Sequence, residues 1–130
     1  MSNVFLRLSV LFVLLGVCLG YWMGMTHNFI VSPVHAHINL LGWVSMFLYG
    51  LFYRTFPDAA QGWLPKVHLA FAAIGLPVMM VGLTIQLLAV QSLLAFVPPM
   101  MIVGPTLVVL GMFTFAVIVF RATGGRTAAA

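Results

Sequence analysis

Apolar residues run almost unbroken through four stretches of the chain, about 4–25, 34–53, 66–88 and 96–120, while polar and helix-breaking residues collect between them. Each run is long enough for the roughly 20 residues a helix needs to cross a hydrocarbon core. The punctuation agrees with this division. Ser32 and Pro33 open the second run, Pro57 and Asp58 close it, Pro65 opens the third, and Pro98 and Pro99 fall in the first turn of the fourth. Pro77 and Pro105 lie inside the third and fourth runs, where bends are expected. The pattern predicts an all-α fold: an integral membrane four-helix bundle over 1–122, followed by a flexible small-residue tail, 123–130.

Composition narrows the class. With 64% hydrophobic and 5% charged residues, the chain has too little polar surface for a soluble domain. Its net charge of +4 comes from scattered basic residues that form no patch or stripe, which argues against a nucleic-acid partner. Arg7, Arg54, Lys66, Arg121 and Arg126 all fall on one side of a four-span topology, and the loops 26–33 and 89–95 carry no basic residue. The positive-inside rule then places both termini in the cytoplasm, as expected for a multi-pass protein of the bacterial inner membrane whose main partner is the lipid bilayer. The first run exceeds the usual apolar core of a signal peptide and is expected to stay as a helix. Cys18 has no partner cysteine and says nothing of redox compartment. Gly16 with Gly20, and Gly20 with Gly24, form small-xxx-small pairs that predict a close helix seam, within the chain or between chains. Tyr21, Trp22, Trp43, Tyr53 and Trp63 fall mostly toward span ends, as aromatic belts do.

Candidate chemistry gathers at the start of the second run, Val34-His-Ala-His-Ile-Asn-Leu-Leu-Gly-Trp-Val44. Polar groups at this depth cost free energy unless something binds them. His35, His37 and Asn39 lie within about two turns of the outer end of this helix. Residues two apart on a helix point roughly 200° from one another, so His35 and His37 face different neighbours. Asn39 shares a face with His35, Gly42 and Met46, whereas His37 heads an apolar stripe of Leu41, Val44 and Leu48 with Trp43 nearby. An imidazole above an apolar stripe suits the axial ligation of a haem, the ring nitrogen on the metal and the apolar residues along the macrocycle. The plainer reading has His37 bonded to a backbone carbonyl or to water.

The run His37-Ile38-Asn39-Leu40-Leu41, followed by Gly50, Tyr53 and Pro57, resembles the second transmembrane helix of the catalytic subunit of the haem-copper oxidase and nitric-oxide reductase superfamily. That resemblance implies that His37 is an axial ligand of b-type haem and that Asn39 takes the family's asparagine position, with His35 as the competing ligand; the stripe below His37 then sets Leu41, Val44 and Trp43 beside the cofactor. It also implies that the chain corresponds to one of the family's three four-helix arcs. Lacking the later helices, it is not expected to be a complete oxidase. Bis-histidine ligation between copies of the chain, a dimer or trimer, would need no second ligand in the same protomer. Electron transfer, or haem or gas binding, is the expected function.

Two rival readings stand beside this one. Met23, Met25 and His27 at the end of the first helix, His35 and His37 at the start of the second, and Met100 and Met101 at the start of the fourth share one end of the bundle, and thioether with imidazole suits copper(I). The same methionines also serve as adaptable core filler. Alternatively, the chain is an accessory structural subunit of a respiratory complex with no cofactor of its own. His68, early in the third helix, is expected at the inner interface beside Lys66 and Arg54, with Asp58 as its partner. Thr84 and Gln86 are expected to pack inward. With Asp58 the sole acidic residue, the chain has no carboxylate pair, and no nucleophile is set beside a base.

Overall fold

The computed structural model describes residues 1–124, and these form helices with no strand among them. Helix α1 spans Ser2–Thr26 and ends at His27, which takes the left-handed conformation (φ 54°) that more often falls to glycine. A continuous helical run over 32–55 follows in three parts: α2 (Ser32–His37), a π-helical segment (Ile38–Ser45) and α3 (Met46–Thr55). A 3₁₀ turn, Pro57–Ala60, leads to α4 (Leu64–Leu87), and a second, Gln91–Phe96, leads to α5 (Val97–Gly124).

Pro33 and Pro65 open helices, as the sequence predicts. Pro33, Pro57 and Pro65 sit in the first turns of their helices, where a missing N–H costs nothing. Pro77 and Pro105 lie within α4 and α5, and both helices continue through them. Thr123 and Gly124, expected in the tail, extend α5 instead; the remainder of the expected tail, with Arg126, lies outside the described residues.

Helices α1, α4 and the stretch Gln91–Gly124 are long and apolar enough to cross a membrane. The fourth expected span is the 32–55 run, which changes its hydrogen-bonding pattern partway. Its π segment closes wider turns than an α-helix, and the Ser45 hydroxyl donates to the Leu40 carbonyl five residues back at 2.9 Å.

The helices associate as two pairs, α1 with the 32–55 run and α4 with α5. Close approach in the second pair depends on glycine: a Cβ on Gly104 would fall 2.5 Å from the Met79 backbone nitrogen, and one on Gly75 would fall 2.8 Å from Leu107 Cβ. The pairs meet through Phe5, Tyr49, Tyr53, His68 and Phe115, with Met46, Leu76, Met79 and Met80 continuing the core. In its most apolar window α4 is 44% buried, against 17% for α1 and for the last helix, so α4 is the central helix. The outer faces carry Leu11, Leu14, Leu15 and Val17 on α1 and Ile102, Val109, Phe113 and Phe120 on α5, all exposed. Such surfaces are compatible with lipid as the solvent.

Candidate functional site

Polar side chains occupy two layers, one toward each end of the molecule. The layer at the start of the 32–55 run is built on α1. A Cβ on Gly16 would come within 2.6 Å of the Asn39 amide, and one on Gly20 within 2.7 Å of His35 Cε1. The predicted glycine seam is therefore a contact within the chain, and these two glycines make room for His35 and Asn39. A Cβ on Gly24, the third member of the pattern, would meet no other described residue within 4 Å.

Each histidine of this layer has its own anchor. His35 Nδ1–H donates to the Gly16 carbonyl at 2.9 Å, and Asn39 Nδ2 donates to the His35 carbonyl at 2.9 Å, so the expected pairing of His35 with Asn39 on one face is present. Asn39 Nδ2 also lies 3.5 Å from His35 Nε2. His37 points away from α1 and is exposed; its Nδ1–H donates to the Pro33 carbonyl at 2.7 Å. A carbonyl only accepts, so both bonds fix the ring proton of the neutral imidazole on Nδ1 and leave the lone pair on Nε2. His35 thus satisfies α1, whereas His37 presents Nε2 to the outside of the chain.

Below His37, Leu40 (62% exposed), Val44 (40%) and Leu48 (55%) continue the outward face, flanked by Trp43 and Phe47. Leu41 does not follow the stripe assigned to it from spacing. It leans between α4 and α5 and lines a small cavity with Met46, Tyr49, Ala72 and Met112, because its side of the helix faces the other helix pair. Leu40 takes the outward place instead.

The residues of the copper reading differ in their surroundings. Met23 is a core residue, and Met100 and Met101 pack where a Cβ on Gly82 would fall, so these three act as filler. Met25 is 65% exposed, and His27 is the left-handed cap of α1. Among the described residues, His27, His35 and His37 do not form a group able to hold a metal ion together.

The second layer lies where α3 ends and α4 begins. His68 is fully buried rather than placed at an interface, and its partner is Tyr53, not Asp58: the Tyr53 hydroxyl and His68 Nδ1 are 2.8 Å apart. Phe5, Tyr49 and Phe115 close around the imidazole, with ring centroids 5.0, 4.5 and 5.1 Å from it. His68 Nε2 has no hydrogen-bond partner among the described residues. Tyr53, expected in an aromatic belt, is buried in this cluster, and Tyr49 completes the layer with its hydroxyl 3.1 Å from Met112 Sδ. Tyr49, Phe5 and Phe115 carry no local sequence signal for this role beyond the four-residue spacing of Tyr49 and Tyr53. Thr84 bonds the Met80 carbonyl of its own helix, and Gln86 is exposed rather than inward, since it lies in the last turn of α4.

No family model, curated protein or solved structure matches the chain. The likeness to the oxidase superfamily thus rests on the stretch between His37 and Pro57 alone.

Proposed function

We propose that the chain is a multi-pass protein of the bacterial inner membrane, both termini cytoplasmic, that holds b-type haem through His37 at a contact between protomers and acts in electron transfer or in haem or gas binding. The observation that carries this reading is that His37, whose Nδ1–H makes the backbone bond the plainer reading expects, 2.7 Å to the Pro33 carbonyl, keeps its Nε2, unbonded to any described residue, on an exposed face. Metal-ligating imidazoles characteristically donate their other ring N–H to such an acceptor, which sets the tautomer and raises the basicity of the free nitrogen. The surroundings fit the group: Leu40, Val44 and Leu48 with Trp43 and Phe47 are exposed apolar residues along the same helical run as His37, suited to a porphyrin face.

When bound, haem supplies one-electron chemistry or a gas-binding iron. The chain's part is to hold His37 Nε2 outward and to shield the site with apolar side chains. His35 is the poorer ligand, because its ring fills the Gly20 gap and its Nε2 faces the Asn39 amide. His68 lies in the opposite layer, walled in by Phe5, Tyr49 and Phe115. A second axial imidazole is therefore best supplied by His37 of another copy, which makes the reading one of a homo-oligomer.

A reduced-minus-oxidised spectrum of the purified protein tests this. The wild type and His35→Ala should show a sharp α band and a shifted Soret band, and His37→Ala should lose both. Retention of the bands in His37→Ala, or their absence from haem-supplied wild type, overturns the assignment.

A further inference from the structure

A half-open cavity of about 410 Å³ lies at the end of the molecule opposite His37, within the size range of small-ligand pockets. Three separate elements wall it: the end of α3 with the Pro57–Ala60 turn, the first turn of α4, and the last turns of α5. Both signs of charge line it. Asp58 is the chain's sole acidic residue, and Arg121 faces the same space from α5. Neither side chain makes an ion pair or hydrogen bond with any described residue, so two opposite charges share one cavity without neutralising each other. Thr55 and Gln61 add polar atoms to the wall, and Phe56 and Ile118 add apolar surface.

We propose that this cavity binds the headgroup of a zwitterionic amino-phospholipid, with the phosphate on Arg121 and the primary ammonium on Asp58. The inference rests on the chain's insertion in a bilayer and is independent of what His37 holds. Position selects a lipid over a dissolved solute, because the cavity lies at an end of the bundle, where α3 and α5 end and α4 begins, and Ile118 and Ala122 of its wall belong to the apolar helix α5. Charge selects a zwitterion, since the charged groups that the described residues bring to the lining are one carboxylate and one guanidinium, and an anionic headgroup would meet Asp58 as well as Arg121. Hydrogen bonding selects a primary ammonium. Carboxylate, hydroxyl and amide oxygens reward N–H donors, and among the described residues Phe56 is the one aromatic ring on the wall, too little for the cage that quaternary ammonium favours.

Native mass spectrometry of the full chain, released from micelles holding equal amounts of phosphatidylethanolamine, phosphatidylcholine and phosphatidylglycerol with identical acyl chains, tests the proposal. The wild type should retain phosphatidylethanolamine with a roughly tenfold preference, the scale of one charge-assisted hydrogen bond. Asp58→Asn should erase the preference over phosphatidylcholine, and Arg121→Gln should weaken both zwitterions alike. Equal retention of the three lipids by the wild type, preference for phosphatidylglycerol, or a selectivity unchanged by Asp58→Asn overturns it. The wild-type competition decides alone if a variant is lost on purification. A chain that alkaline carbonate strips from membranes would instead refute bilayer insertion itself.

Discussion

His68 and Tyr53 show how much of this molecule depends on single polar contacts. Their 2.8 Å bond joins α3 to α4, and so one helix pair to the other, inside a shell of aromatic rings. With one ring nitrogen already unpartnered, removal of the Tyr53 hydroxyl leaves the buried imidazole wholly unsatisfied. Tyr53→Phe should therefore lower stability by about 1–3 kcal/mol, read as a fall in the melting temperature in detergent. His68→Phe removes the orphaned nitrogen but strands the tyrosine hydroxyl, and the double replacement strands nothing. Its cost should be smaller than the sum of the two single changes, and strict additivity would show that the hydrogen bond contributes nothing. Sequence reading missed this pair for a physical reason. Tyr53 near a span end looks like an interfacial tyrosine, and only the turn at Pro57–Ala60 brings it onto His68. His37 and His35 were easier to separate, since their two-residue spacing alone sends them to different neighbours.

At the scale of elements, the helices were legible because lipid leaves the backbone no other way to satisfy its hydrogen bonds, and the runs of apolar residues record that constraint directly. The π segment was not legible: nothing in Ile38–Ser45 departs from the composition of an ordinary span, although in the fold the segment packs chiefly against α1. The small-residue pattern of α1 was visible, but its three glycines are not equivalent. Gly16 faces the Asn39 amide at a distance no Cβ tolerates, while Gly24 faces open space. Gly16→Ala should destabilise the protein by about 1–3 kcal/mol, as overpacking does, and displace the π segment from α1. Gly24→Ala should stabilise it by up to about 1 kcal/mol, the helix-propensity difference. Thermal melts of the two variants in one detergent check both signs. A loss of stability in Gly24→Ala would mean that another copy of the chain packs there.

For the whole molecule, antiparallel packing gathers Arg7, Arg54, Lys66 and Arg121 toward one end and leaves the turn around Asn28 at the other. In a Cys18→Ser background, Asn28→Cys should react with a membrane-impermeant maleimide added to spheroplasts, and Gln61→Cys should react only after lysis. The reverse pattern would invert the topology and put His37 at the cytoplasmic face. Stoichiometry tests the other global property. At the proposed site each copy offers the His37 Nε2 alone, so an iron held by two such nitrogens would join two chains, and the purified protein should carry about one haem per two chains. Leu40 lies a turn below His37 and is among the most exposed residues of the strip. Leu40→Trp should therefore cover the approach to Nε2, lowering haem content and breaking the oligomer together while helix content and membrane insertion stay unchanged. If haem content falls and the oligomer persists, the contact between copies lies elsewhere, and His37 must find its second ligand in another protein.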